Sequence, residues 1–206
     1  MAAPVSVARS AVRVAARSVG GKSSVLLTLE SDTDRLITVE GNHHALFRNL
    51  GPFSTTAIGH GEMPLTIENN RGHDVGIETL HASLDAGCRH IDTAWAYYTP
   101  GEEEQTGEKL VREALETWKG PREEVTVATK VGLRRVWDGD KPIWPRDGKP
   151  EHLIEYGKQS AQALGVDSID LLYLHRHDPE VPYNESCEGI KALLDQALPS
   201  GRVCPT

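Results

Sequence analysis

Three cysteines are all that this 206-residue chain contains. Cys88, Cys187 and Cys204 stand far apart without any CxxC pairing, which argues against a disulfide framework and suits reduced thiols in a cytosol. No apolar run approaches the roughly 20 residues that a membrane-spanning helix requires, so no span is read. No strand-linked GxGxxG occurs, and the Rossmann fingerprint for dinucleotides is therefore missing. Acids are absent before Glu30, where Arg9, Arg13, Arg17 and Lys22 are the only charged side chains. Because the net charge is nevertheless -8, the remainder is clearly acidic, which argues against nucleic acid as a partner.

What is present divides near residue 45. Residues 1–45 are expected to be a poorly ordered N-terminal extension. On a helix, Arg9, Arg13 and Arg17 would share a face, as in organelle transit peptides, and targeting of that kind is the alternative to a cytoplasmic chain. "SVLLTLESDTDRLITVEG" holds short apolar runs suited to pairing as strands, and no chemistry.

Residues 46–206 repeat a grammar of apolar strand, polar turn and amphipathic helix. A first strand is predicted near Thr56 to Ile58, closed by a glycine-rich turn. The next helix carries Ile77, Leu80, His81 and Leu84 at helical spacing and stops at Gly87. After the strand "CRHID", "PGEEEQTGEKLVREALETW" reads as a helix with acids in its first turn and an apolar stripe through Leu110, Val111, Ala114, Leu115 and Trp118. "EVTVATK" is the third strand. A long segment, 131–149, leads to a helix with Leu153, Ile154, Gly157, Ala161 and Leu164, ended by Gly165. "SIDLLYLH" is the fourth strand, residues 184–198 a fourth helix, and "GRV" the start of a fifth strand. Strands apolar throughout and alternating with helices predict a parallel α/β sheet, either doubly wound or part of a (β/α)8 barrel.

The chemistry separates these two. Asp92, Lys130 and His175 end three consecutive strands, so three ionisable groups converge on the C-terminal rim, where parallel barrels build their active sites. A strand-end Asp often caps a turn and a rim Lys is often merely solvated; three in succession favour a site.

Together, "GCRHIDTAWAYY", "VTVATK" and "SIDLLYLHRHDP" resemble the aldo-keto reductase family, whose signatures place a tyrosine five residues after a strand-end aspartate, then a strand-end lysine and a strand-end histidine. "FRNLGPFSTTAIGHGEMPL" looks like that family's leading hairpin and first barrel strand, and the likeness runs from about residue 46 to 196. The resemblance implies a (β/α)8 barrel that reduces small-molecule aldehydes or ketones with NADPH, bound without a Rossmann motif. It makes Asp92, Tyr97, Lys130 and His175 the catalytic tetrad, with Tyr97 as the acid and Tyr98 as its substrate-pocket neighbour. Gly59, Gly61 and Met63 fall on the family's I-G-x-G-x-M pattern, so that Gly61, Met63 and Asp92 are the expected cofactor contacts. Trp95 is expected on the pocket wall. The segment 131–149, with Trp137 and Trp144, is expected as a loop over the pocket. No metal is implied. His60 and Glu62 fill the variable positions of the glycine pattern with unusual polarity.

Carbonyl reduction delivers hydride to carbon and builds negative charge on oxygen, so it needs a proton donor and hydrogen-bonding groups at that oxygen. A phenol ionises more readily beside an ammonium, which is the part given to Lys130, and a carboxylate keeps a partly buried ammonium charged, which is the part given to Asp92. His175 would hydrogen-bond and orient the carbonyl.

Two other readings stand beside this one. A (β/α)8 barrel typically takes about 250 residues, and four βα units with sheet edges at both ends describe an incomplete barrel. The tail "ALPSGRVCPT" departs from the expected fifth strand, and the segments that grip the cofactor in the family come later still. A catalytically inactive fragment or binding module, self-associating through its edges, is thus the alternative to the enzyme. The other is a metal-dependent barrel hydrolase, because "HRH" puts His175 and His177 on one side of a strand with His60 or His90 as further ligands.

Overall fold

The computed structural model describes residues 12–19, 22–29, 46–67, 72–101 and 103–196, the first two segments through their backbone alone. The chain divides into two compact units between His43 and His44. In the first, β1 (Val12–Val19) and β2 (Lys22–Leu29) pair antiparallel from Val12↔Leu29 to Val19↔Lys22. A strand replaces the helix that the arginine spacing allowed. The physical reason is the apolar composition on either side of Gly20-Gly21, with Val12, Val14 and Val19 before it and Val25, Leu26, Leu27 and Leu29 after it, which is a hairpin signature stronger than the spacing of three charges.

The second unit opens with a hairpin of β3 (Phe47–Leu50) and β4 (Phe53–Thr56), and Ala57 still donates its N–H to Leu46. The sheet begins after it, with β5 (His60–Gly61) leading into the short helix α1 (Met63–Thr66). The predicted first strand at Thr56 to Ile58 is therefore displaced: Thr56 closes the hairpin, and the strand lies inside what read as a glycine turn. There follow α2 (His73–Asp85), β6 (His90–Asp92), α3 (Thr106–Thr117), a 3-10 turn (Arg122–Glu124) and β7 (Thr126–Val131). Then come β8 (Val136–Asp138), β9 (Lys141–Ile143), α4 (Pro150–Leu164), β10 (Leu171–Leu174) and α5 (Tyr183–Gln196). The strand expected at 201–203 lies outside the described residues.

β5, β6, β7 and β10 form one parallel sheet in sequence order. Its register aligns Gly61 with Asp92, Asp92 with Ala128, and Ala128 with Leu171. Strand hydrogen bonding continues past the formal ends, from Glu62 N–H to the Asp92 carbonyl (2.9 Å), Trp95 N–H to Lys130 (3.0 Å) and His175 N–H to Val131 (2.8 Å), and so fixes the rim as firmly as the strands. α2 and α4 end where glycines supply left-handed backbone: Gly87 has φ +96° and Gly165 φ +67°.

Two apolar layers hold the unit. Leu80 and Leu84 of α2 pack with Leu110, Val111 and Ala114 of α3 on Ile91 and Val127 of the sheet. A second cluster gathers Trp95, Tyr98, Val131, Leu133, Leu153 and Leu172. α3 starts later than its sequence suggests, at Thr106, so Glu103 and Glu104 precede the helix and Glu108 is the acid of its first turn. The segment 131–149 is a hairpin of its own, β8 with β9, closed by a bridge from Leu133 to Arg146.

Leu80 is fully buried at the centre of the first layer, whereas Val75 on the same helix is 41% exposed. Leu80→Ala should lower the free energy of unfolding by about 2–5 kcal/mol, and Val75→Ala by less than about 0.5 kcal/mol, as read from urea denaturation.

Candidate active site

Side chains two apart on a strand share a face, so the register that sets Asp92 beside Ala128 puts Lys130 on Asp92's side of the sheet, one step nearer the rim. The small Ala128, fully buried, leaves room for the lysine stem. Nζ of Lys130 donates to an Asp92 carboxylate oxygen, to the Thr93 carbonyl (2.7 Å) and toward the Tyr97 hydroxyl (3.2 Å), and it lies 4.9 Å from the Tyr97 ring centre. The ring of His175 meets that of Tyr97 edge-on, 5.7 Å between centres. Four residues from the ends of three strands are thus brought into one group. Tyr97 is 7% exposed, and the lysine side chain 15%. Burial, followed by the charges of Lys130 and Arg176, pushes His175 down to about 4, so its imidazole is neutral at physiological pH and carries one N–H. Its Nδ1 is buried without a hydrogen-bond partner.

Residues 57–203 match the model of the Aldo/keto reductase family. The chain belongs to the aldo-keto reductase family. It is 37% identical over 142 residues to the aldo-keto reductase YhdN of Bacillus subtilis, covering 69% of this chain and 40% of that protein. It is 33% identical over 153 residues to an uncharacterized oxidoreductase of Schizosaccharomyces pombe, covering 72% and 46%. Among solved structures, an aldo-keto reductase of Bacillus halodurans in its holo form superposes with a TM-score of 0.60 at 26% identity over 78% of this chain and 50% of that one. A glycerol dehydrogenase of Gluconobacter oxydans does so with a TM-score of 0.61 at 26% identity, over 77% and 47%. The fold is therefore part of the aldo-keto reductase (β/α)8 barrel, and this chain spans half or less of the length of each of these relatives.

The remaining predicted residues divide. Gly61 is exposed on the rim in register with Asp92, a Cβ there would meet nothing within 4 Å, and the half-buried Met63 lies two residues beyond it, so the backbone at this point is open to a ligand. Gly59 serves packing instead, because a Cβ there would fall 2.6 Å from the His90 ring. Trp95 is not on an open wall: it is 2% exposed, its indole N–H donates to Gln159 (2.9 Å), and its ring packs on Tyr98 and Tyr156. Tyr98 turns away from Lys130, and its hydroxyl accepts the Arg135 N–H (3.3 Å). Trp137 is half exposed and hydrogen-bonds the Pro100 carbonyl (2.7 Å), whereas Trp144 packs into the second apolar layer. The two histidines of "HRH" do not share surroundings, since His177 faces the Val181 carbonyl (3.2 Å) and the Tyr183 ring. Among the described residues no group of three or more His, Cys, Asp or Glu is arranged to hold a metal.

Two carboxyls in the site's foundations were not anticipated. Glu62 and Glu108 are both fully buried. Glu62 accepts from the hydroxyls of Thr66 (2.6 Å) and Thr93 (2.8 Å), and its backbone N–H donates to Asp92. Glu108 accepts from Thr129 (2.5 Å) and from the side chain of Gln105 (3.1 Å), a residue whose φ of +62° is the one non-glycine left-handed conformation among the described residues. α3 approaches Glu62 through Gly107, where a Cβ would lie 2.4 Å from the carboxylate. Burial raises both carboxyls to about 7; the neighbouring Glu108 adds to the rise at Glu62, and hydrogen bonds from the hydroxyls oppose it at both. The sequence signal was available at one of them, a charge inside a glycine pattern, but nothing marked Glu108 off from an ordinary first-turn acid.

These carboxyls bind protons more tightly in the folded chain than the ordinary 4.5 of the unfolded one. Their contribution to stability is full below about pH 4.5 and is lost as pH rises through 7, on the order of 3 kcal/mol for each. Glu108→Gln should therefore be more stable than the parent at pH 8.5 relative to its standing at pH 5, as measured by urea denaturation at the two values. An equal difference at both would remove the buried acid as the cause.

Proposed function

We propose that this chain carries the catalytic rim of an NADPH-dependent reductase of small aldehydes or ketones. One observation carries the reading: a single ammonium, that of Lys130, touches both the Asp92 carboxylate and the Tyr97 hydroxyl beside a neutral His175. Family membership supports a nicotinamide cofactor, and the phosphorylated form is taken from the resemblance to that family, whose members usually use NADPH. When bound, that cofactor supplies hydride to the carbonyl carbon.

The chain's own residues manage the proton. Tyr97 gives its hydroxyl proton to the carbonyl oxygen as charge develops there. The ammonium stabilises the phenolate left behind, and Asp92 holds that ammonium in place and charged while the Thr93 carbonyl fixes its direction. A neutral His175 offers an N–H to the same oxygen and orients the substrate without adding a second positive charge beside Lys130. The low exposure of Tyr97 and Lys130 keeps water from competing for these hydrogen bonds. Asp92, Gly61 and Met63 are the residues proposed to meet the cofactor.

The test is a titration of the full chain with NADPH and, in parallel, NADH, followed by quenching of its four tryptophans, and then by assay of aldehyde reduction. Saturable NADPH binding with turnover is expected. Tyr97→Phe should reduce kcat by about 10²-fold or more, the range for a lost general acid, with binding retained. Tyr98→Phe should leave kcat within a few-fold. Equal losses in both variants would overturn the assignment of the acid. Folded protein that binds neither nucleotide would favour the other reading, a barrel segment that acts through binding alone.

A further inference from the structure

The loops that follow β6 and β7 line an open cavity of about 210 Å³, and none of the four tetrad residues is part of its lining. Tyr98, Gly101 and Glu104 line it from the first loop, and Arg134, Arg135 and Trp137 from the second. It lies on the rim that carries Asp92 and Lys130, because the same two strands lead into both loops.

The two arginines are held differently. Arg135 is 8% exposed; its guanidinium donates to the carbonyls of Tyr98 (3.2 Å) and Ile67 (3.4 Å) and stacks on Trp144, 4.9 Å from the ring centre. It is thereby a fixed positive wall. Arg134 enters the ladder only through its backbone, whose N–H donates to Pro145 (2.9 Å), and its side-chain Nε is buried with no hydrogen-bond partner. A buried guanidinium N–H without an acceptor is costly, and the group that best satisfies it is a planar or tetrahedral oxyanion. Among the described residues the opposing charge in the cavity lining is the Glu104 carboxylate, for which no ion pair with Arg134 is present. Among the described lining residues two cations therefore stand against one anion. Trp137 belongs to the lining as well, its N–H donating to the Pro100 carbonyl (2.7 Å), so that an aromatic side chain borders the same space as the two arginines.

We propose that this cavity binds the anionic group of a small molecule, a phosphate or a carboxylate, with Arg134 as its principal contact and Arg135 as a fixed second charge. The volume suits such a group and a few attached atoms rather than a whole cofactor. As a substrate site it rests on the reductase reading and restricts the substrates to carbonyl compounds with an acidic group; as an anion site it is independent of that reading.

The experiment titrates the full chain, without nucleotide, with inorganic phosphate and separately with acetate, at constant ionic strength, by calorimetry and tryptophan fluorescence. Saturable binding of at least one of them is expected, and the tighter of the two names the source of the oxyanion. Arg134→Gln should weaken binding at least tenfold and Arg134→Lys by less, while Glu104→Gln, which removes the opposing charge, should tighten it several-fold. Lys141→Gln, an exposed cation on β9, should leave affinity unchanged. Each variant's thermal unfolding is recorded alongside, and the opposite signs expected at Arg134 and Glu104 cannot arise from general loss of structure. No binding of either anion, or equal weakening by Arg134→Gln and Lys141→Gln, would overturn the proposal. Carbonyl reduction that persists without anion binding would sink this inference alone, and anion binding without nucleotide binding would sink the reductase reading alone.

Discussion

The ammonium of Lys130 sets the geometry of the rim, because acceptors from three positions converge on it: the Asp92 carboxylate ending β6, the Thr93 carbonyl one residue on, and the Tyr97 hydroxyl in the loop beyond. A charge so little exposed is tolerable only when it is paired and its remaining protons are spoken for. The sheet meets that condition through register. If β7 slipped by one residue against β6, Lys130 would turn to the helix side, and Asp92 would lose its counter-charge. The hydrogen bonds that run past the strand ends, from Thr93 to Ala128 and from Trp95 to Lys130, resist such a slip. The ion pair is thus a consequence of pairing that the apolar layers already enforce, and the site inherits the rigidity of the core.

Beneath this pair lie Glu62 and Glu108, and their neutrality follows from what surrounds them. Their partners are hydroxyls and an amide, which offer no compensating charge. A carboxylate at Glu62 would also compete with Asp92 for the field of Lys130. Kept protonated below about pH 7, it leaves Asp92 as the single counter-charge while still tying Thr93, whose carbonyl aims the ammonium, to the end of β5. The left-handed backbone at Gln105 belongs to the same arrangement, since it turns the chain so that this amide caps Glu108 at the start of α3.

Which features were legible in the sequence depends on the range of the interactions that produce them. Strands buried on both faces, the helices of strong apolar spacing and their glycine stops arise from local pattern, and α2, α4, β6, β7 and β10 stand close to where the pattern put them. So do Asp92, Lys130 and His175, since a polar residue at the end of an apolar run marks a strand's exit. The misplacements share another cause. His60–Gly61 is a strand only because His90–Asp92 lies beside it, and two residues carry no periodicity of their own. α3 begins at Thr106 rather than at the acids because Glu108 is drawn into the core, a choice made by Thr129 and Gln105 from outside its turn. Trp95 looked like a wall residue from its position between Asp92 and Tyr97. Gln159, 64 residues away, supplies the partner that lets it be buried instead. Nor could composition reveal that 131–149 folds back as a hairpin, for β8 and β9 are three residues each.

Tyr97 and Tyr98 join the two regions of the rim. As consecutive residues of a non-helical stretch they point apart: the first hydroxyl reaches Lys130, and the second meets the backbone N–H of Arg135. The Tyr98 carbonyl accepts from the Arg135 guanidinium, and the Tyr97 carbonyl accepts from Gly107 at the head of α3 (2.9 Å). Tyr97, the residue proposed to give the proton, is therefore suspended between a helix built over a buried carboxyl and a loop built around two arginines. Strand ends give a barrel its fixed chemistry and loops give it selectivity. Here a single dipeptide belongs to both, so an anionic group held by the arginines, as proposed, would bear through one peptide unit on Tyr97.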